Sequence, residues 1–400
     1  MEWLPRFGGG CGPGPRQRTV RGLLGRGCLP GLSDMCGEAP VFIERTSVGL
    51  DVHARSVVAH AMDGVTGEVF TGRLVPGVEP VAGWLAGLPG PVAVLYEAGP
   101  TGFGLARGLR AAGVRCEVAA PSKLQRPSGD RVKTDARDAE HLCRLLRLDE
   151  FTAVAVPEAA TEAARDLVRA REDCRTDLMR ARNRTSKLLL LHGIVYCDGK
   201  AWTNLHLAWL ARARLEQPPS QWALEESVDQ VLNMVARRDR LDARIAELAA
   251  DSAWTPVVRR LGCLRGISTL TGFALAVEIG DWSRFDGNSI GAYVGLIPSE
   301  HSSGTSRALG PITKTGNKHV RRLLVEAAWH HAPAYRPGKT MRDRWDLASP
   351  AARARGDAGN RRLHTRWVRF QTRKKQTGIA NAAIARELAG WCWSLAMIDD

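Results

Sequence analysis

Between residues 46 and 76 apolar and polar positions alternate in three short runs, TSVGLDVH, SVVAHAMD and EVFTGRLVP, joined by brief turn-like links such as GVTG. Period-two alternation predicts strands, and links this short fold them into a three-stranded antiparallel meander. A helical stretch over VEPVAGWLAGL follows, then PVAVLYEAG, whose continuous apolar run suits a strand covered on both faces. GFGLARGLRAAG reads as a helix stopped at a glycine, CEVAAP as a strand, and DARDAEHLCRLLRL as another helix.

The order β-β-β-α-β-α-β-α matches a ribonuclease-H-like α/β domain, assigned to residues 45–157. From Glu158 to Leu191 the chain carries Ala, Arg and Leu without Pro or Gly, which predicts a long basic helix. A second long stretch places apolar residues at 224, 228, 231, 235, 241, 245 and 248. These spacings of three and four make a coiled-coil-like seam, used either within the chain or for dimerisation. Residues 158–255 are therefore expected to form a helical spacer.

Residues 256–400 form a mostly α region. LRGISTLTGFALAVEIG predicts a helix, a Gly-containing turn and a helix; GLIPSEHSSGTSRALGPITKTGN reads as a loop; KHVRRLLVEAAWHHA and IANAAIARELAGWCWSLAMI read as helices.

Charge changes this picture. Lys and Arg outnumber Asp and Glu by 56 to 42, a formal charge of +14, which favours a polyanionic partner, nucleic acid above all. Between residues 301 and 344 nine Lys or Arg face two acidic residues, so the excess is concentrated there. No run reaches the roughly 18 to 20 apolar residues of a membrane span. Nine cysteines without CxxC or metal-ligand spacing read as free thiols in a reducing cytoplasm. Residues 1–44, rich in Gly, Pro and Arg, read as a disordered leader, with Met35 an alternative start.

Within the α/β region Asp51 lies on the first strand, Glu97 ends the strand VAVLYE, and Asp135 and Asp138 stand three apart on one helix face. Brought together, four carboxylates repel and need a cation, and Mg²⁺ or Mn²⁺ matches oxygen donors. Two such ions about 3.5–4 Å apart stabilise both oxygens of a phosphodiester displacement. Taken singly, each carboxylate reads better as an ordinary structural group, Asp138 as an ion-pair partner of Arg137 or Arg144 and Glu97 as a cap for the helix after GPTG; only the set of four points to chemistry. His53, His330 and His331 read as packed or solvated and stay outside the catalytic set.

GLDVH, YEAGPTG and KTDARDAEHL, followed by LRGI, GLIPSEHSSG and GPITKTGNKHVRRLLVEAA, resemble the DEDD transposases of insertion sequences in the IS-one-ten family. The resemblance runs from about residue 46 to 335. It implies a RuvC-like domain that binds metal through Asp51, Glu97, Asp135 and Asp138, and a C-terminal transposase domain with a nucleophilic serine. That serine is Ser303, with Ser302 as the alternative. It further implies a structured non-coding bridge RNA that pairs with donor and target DNA. Dimers and tetramers are implied too, in which the RuvC-like domain of one chain meets the serine domain of another.

A serine hydroxyl is a weak nucleophile and needs a base, a metal or a positive field. Arg307, Lys314, Lys318, Arg321 and Arg322 lie close enough in sequence to hold the phosphate or the developing oxyanion. The leader and the basic segment after residue 340 depart from the family pattern. In that segment Trp367 and Phe370 interleave with Arg and Lys, as either a base-stacking surface or a helix packing its aromatics under a charged face.

The leading expectation is thus a cytoplasmic, nucleoid-associated bacterial recombinase acting through a serine–DNA link with metal help. The alternative is a RuvC-like endonuclease or junction resolvase that uses water as nucleophile and needs no serine. A binding-only remnant is disfavoured by the intact carboxylates.

Overall fold

The computed structural model describes residues 44–124, 134–303, 306 and 308–399. Residues 1–43 of the leader and the candidate Arg307 lie outside the described residues.

Strands β1 (Thr46–Val52), β2 (Val57–Asp63) and β3 (Val69–Leu74) form the expected meander. Helix α1 (Val78–Ala86), strand β4 (Val92–Glu97), helix α2 (Gly104–Ala111), strand β5 (Arg115–Ala119) and helix α3 (Asp135–Leu148) complete this part. The sheet order is β3-β2-β1-β4-β5, with β1 parallel to β4 and β4 parallel to β5. This mixed sheet is consistent with the ribonuclease-H-like expectation.

Alternation along the strands divides the core between the two faces. Val48, Leu50, Val94 and Tyr96 pack with Val81 and Leu85 of α1 and Ala106 and Leu109 of α2. Ala93 and Leu95 point to the other face, where Leu142, Leu145 and Leu146 of α3 cover them. Helix α3 comes down directly onto β1 because Gly49 has no side chain. A Cβ there would stand 2.0 Å from the Ala139 carbonyl oxygen.

Helices α4 (Ala159–Leu191) and α6 (Pro218–Ala250) run 33 residues each and pair antiparallel, with α5 (Asn204–Leu210) in their connection. Arg171 donates to Asp242 at 2.7 Å, Arg184 to Gln230 at 2.8 Å, and the Thr185 hydroxyl to the Ser227 carbonyl at 3.3 Å. Leu224, Val231 and Ile245 of the predicted seam are buried in clusters with Leu189, Leu178 and Val168 of α4. The periodicity is thereby accounted for within the chain.

The remaining elements are α7 (Thr255–Leu261), α8 (Thr269–Ile279), α9 (Ser289–Tyr293), β6 (Pro298–Glu300), β7 (Leu309–Ile312), α10 (Lys318–Ala328), α11 (Lys339–Trp345), α12 (Pro350–Thr372) and α13 (Thr377–Ala396). They surround a second large core built on Leu264, Leu275, Leu324, Leu363 and Leu388. The stretch read as a loop contains a short β6–β7 hairpin. Trp367 is 2% exposed inside this core, and Phe370 packs against it, flanked by Arg366 and Lys375. The base-stacking reading of Trp367 is therefore corrected: its ring is a core ring.

Helix α4 bonds to both parts. Arg107 of α2 donates to Glu162 at 2.6 Å, and Arg169 holds Glu278 of α8 through two hydrogen bonds of 3.0 Å.

Candidate active site

The β1–β4 ladder ends at the pair Leu50 and Tyr96, so Asp51 and Glu97 follow it side by side at the carboxyl ends of two parallel strands. Their neighbours Leu50 and Tyr96 are fully buried on the α1–α2 side, and alternation turns Asp51 and Glu97 to the α3 side. There α3 begins. The Thr134 hydroxyl caps it by accepting from the Arg137 amide, which fixes Asp135 and Asp138 in the first turn, where the helix dipole favours negative charge.

These constraints bring Asp51 and Asp135 into one cluster with His53, their ligand atoms all within 4.8 Å of one another. The His53 Nε2 lies 3.0 Å from Asp51 Oδ2 and 3.7 Å from Asp135 Oδ1. The Asp51 side chain is the most sheltered of the three, at 17% exposed. Burial raises its pKa, His53 opposes the rise, and the charges of Asp135 and Asp138 add to it. Glu97 and Asp138 meet at an adjoining cavity of about 70 Å³, which His141 also lines. The Nε2 of His141 is buried there without a hydrogen-bond partner among the described residues.

The donor set fits a divalent cation. Asp51 at a strand end and Asp135 in a helix's first turn converge, burial and neighbouring charges disfavour Asp51 as a bare anion, and Glu97 and Asp138 line a cavity in which the His141 Nε2 has no hydrogen-bond partner among the described residues. From the sequence His53 is weighed and left outside the catalytic set, and His141 is not considered. The signal for His53 was its place two residues beyond Asp51, just past the end of β1; for His141 it was a position one helical turn after Asp138.

Ser303 is exposed on the connection between β6 and β7, where its amide donates to the Ser306 carbonyl at 3.2 Å and its carbonyl accepts from the Ser306 amide at 3.0 Å. The Ser302 hydroxyl donates to Glu300 at 2.8 Å. The hairpin base is clamped to α10. Arg321 Nη1 donates to the carbonyls of Val294 at 2.9 Å and Thr315 at 2.7 Å.

The predicted basic set divides accordingly. Arg321 is engaged at this clamp, and Arg322 pairs with Glu172 and Glu326. Lys314 and Lys318 are exposed with no acidic partner among the described residues. Among those residues all six cysteines are free thiols, and no helix is long and apolar enough to cross a membrane.

A mixed sheet consistent with the ribonuclease-H-like fold, with Asp51 and Asp135 brought together beside it and a helical part following, suits a transposase of the DEDD class. Residues 48–194 match the IS110-type DEDD transposase domain, and residues 258–345 match the Transposase IS116/IS110/IS902 family. The chain is 37% identical over 383 residues to a putative transposase, y4qE, of Sinorhizobium fredii, covering 94% of each chain. It is 30% identical to the transposase of insertion sequence element IS1533 from Leptospira borgpetersenii, over 70% of this chain and 82% of that one. This protein belongs to the IS110/IS116/IS902 family of insertion-sequence transposases.

Proposed function

We propose that this transposase cuts and rejoins DNA by transesterification through Ser303, with divalent cations held by Asp51, Glu97, Asp135 and Asp138. The observation that carries the reading is the convergence of Asp51, on a strand end, with Asp135, in the first turn of a helix crossing that strand. Bound Mg²⁺ or Mn²⁺ supplies charge stabilisation at the scissile phosphate.

The protein's own groups do the rest. The Ser303 oxygen gives up its proton to a base and bonds to phosphorus, while the phosphorus–oxygen bond to the sugar breaks and that oxygen takes up a proton. The phosphodiester count is unchanged, so rejoining needs no external energy source. Lys314 and Lys318, together with Arg307, neutralise the phosphate; Arg321 holds the hairpin that carries the serine. A structured non-coding RNA selects donor and target DNA, and the net charge of +14 suits both polyanions.

The carboxylates and Ser303 belong to different cores of the chain, which supports an active site shared between protomers of a dimer or tetramer. Mixing Asp51→Asn protein with Ser303→Ala protein tests this, using element-end DNA and the element's non-coding RNA. Strand exchange restored in the mixture, when neither variant supports it alone, is the expected result. Failure to complement while wild-type protein is active overturns the shared site.

A further inference from the structure

Away from the carboxylates and the serine hairpin, a cleft of about 550 Å³ opens between the start of α8, the end of α10 and the segment leading into α11. Its walls include Arg265, Arg336, Lys339 and Arg344. None of the four has a carboxylate partner among the described residues. The acidic side chain in the lining, Glu326, is already paired with Arg322. Arg265 donates to the carbonyls of Pro333 and Ala334, and Arg344 to that of Ile267, so two of the cations are built into the wall. Arg336 and Lys339 are exposed, and among the described residues their side chains make no hydrogen bond or ion pair.

The floor is firm. Gly266, with φ +84°, presses so closely on α10 that a Cβ would lie 2.5 Å from the Ala327 carbonyl oxygen. Beside it α8 presents its first turn, capped by Ser268, with the Thr269 and Leu270 amides directed outward from the helix start.

We infer that this cleft grips the phosphate backbone of duplex DNA. Uncompensated cations call for a polyanion, and with His330 the one aromatic ring in the lining beside four Lys or Arg side chains, charge dominates and the contact is to backbone rather than to sequence. DNA is favoured over other phosphates because α10 connects the cleft to the serine hairpin. The helix is 11 residues long, about 16 Å, or roughly five base-pair steps, so one duplex reaches both. The inference rests on the DNA-transposase reading and adds a binding site to it.

The test is binding of full-length Arg336→Glu/Lys339→Glu protein to two unrelated DNA duplexes and to an RNA duplex over a range of salt. Both side chains are exposed and unpaired among the described residues, so the fold tolerates the change. Affinity for both DNAs is expected to fall tenfold or more, on the order of what two lost phosphate contacts produce, and the salt slope to shrink by about two. Arg237→Glu/Arg240→Glu on α6 makes the same charge change on an exposed surface elsewhere and is expected to leave the slope nearly unaltered. An unchanged slope in the cleft variant, an equal loss in the control, or a loss confined to RNA or to one DNA sequence overturns the inference while wild-type binding leaves the transposase reading intact. Wild-type protein that binds no DNA overturns both.

Discussion

Gly49 and Cys143 fix the candidate active site from beneath: a Cβ on Gly49 would stand 2.4 Å from the Cys143 amide nitrogen, so α3 lies in direct backbone contact with β1. The Cys143 thiol lies 3.1 Å from the Ser47 carbonyl on the same strand and strengthens that contact. Gly49→Ala is predicted to lift α3, destabilising the protein by about 2–3 kcal/mol as an overpacked core does. The same shift carries Asp135 and Asp138 away from Asp51. Thermal unfolding and a Mn²⁺ titration of one variant check both effects, and loss of stability with unchanged Mn²⁺ affinity contradicts the geometry.

His53 is predicted to orient Asp51 for the cation, since its Nε2 lies 3.0 Å from Asp51 Oδ2. Removing a hydrogen-bonded neighbour of a metal ligand costs about 10–100-fold in metal affinity. His53→Ala should weaken Mn²⁺ binding by that order while leaving the unfolding temperature nearly constant, because the side chain is 52% exposed. Calorimetric titration reads the first effect and differential scanning the second.

Much of this site was legible in the sequence, and the reason is local. Thr134 followed by Asp135 and Asp138 specifies a capped helix start, and Leu142, Leu145 and Leu146 set its buried face at helical spacing; both are legible locally. The β6–β7 hairpin was not legible because Pro298–Glu300 and Leu309–Ile312 lack alternation, and its base is set by Arg321, which reaches back from the next helix. Trp367 was ambiguous for a similar reason. Charged neighbours surround it in sequence, and only the packing of α12 on α13 turns it inward. Trp367→Ala is therefore predicted to cost about 3–5 kcal/mol of stability, by urea unfolding, with no selective loss of RNA binding.

Glu278, 1% exposed, anchors α8 to α4 and to the start of α10. Burial pushes its carboxyl up, but hydrogen bonds from His319, Arg169 and Asn317 outweigh burial and hold it at about 2, below its ordinary value of 4.5. A depressed carboxyl contributes stability that is complete above the unfolded value and is lost as pH falls through the folded one. Glu278→Gln should cost about 2–3 kcal/mol at pH 7, less than a fully buried pair because Arg169 is 57% exposed. That difference should shrink between pH 4.5 and 2, since the wild-type carboxyl becomes protonated over that window. Urea midpoints measured at neutral and acid pH test it, and a difference constant with pH contradicts the assignment.

The most direct test of the central claim is a denaturing gel of end-labelled element DNA incubated with the protein, its non-coding RNA and Mg²⁺. Wild-type protein should retain label in a covalent adduct that protease digests. Ser303→Ala should lose the adduct while still binding DNA, and Asp51→Asn should impair its formation with binding again preserved. An adduct that persists in Ser303→Ala and disappears in Ser302→Ala moves the nucleophile to the hydroxyl hydrogen-bonded to Glu300. Metal-dependent cutting by wild-type protein with no adduct at all contradicts the serine account and assigns the attack to water.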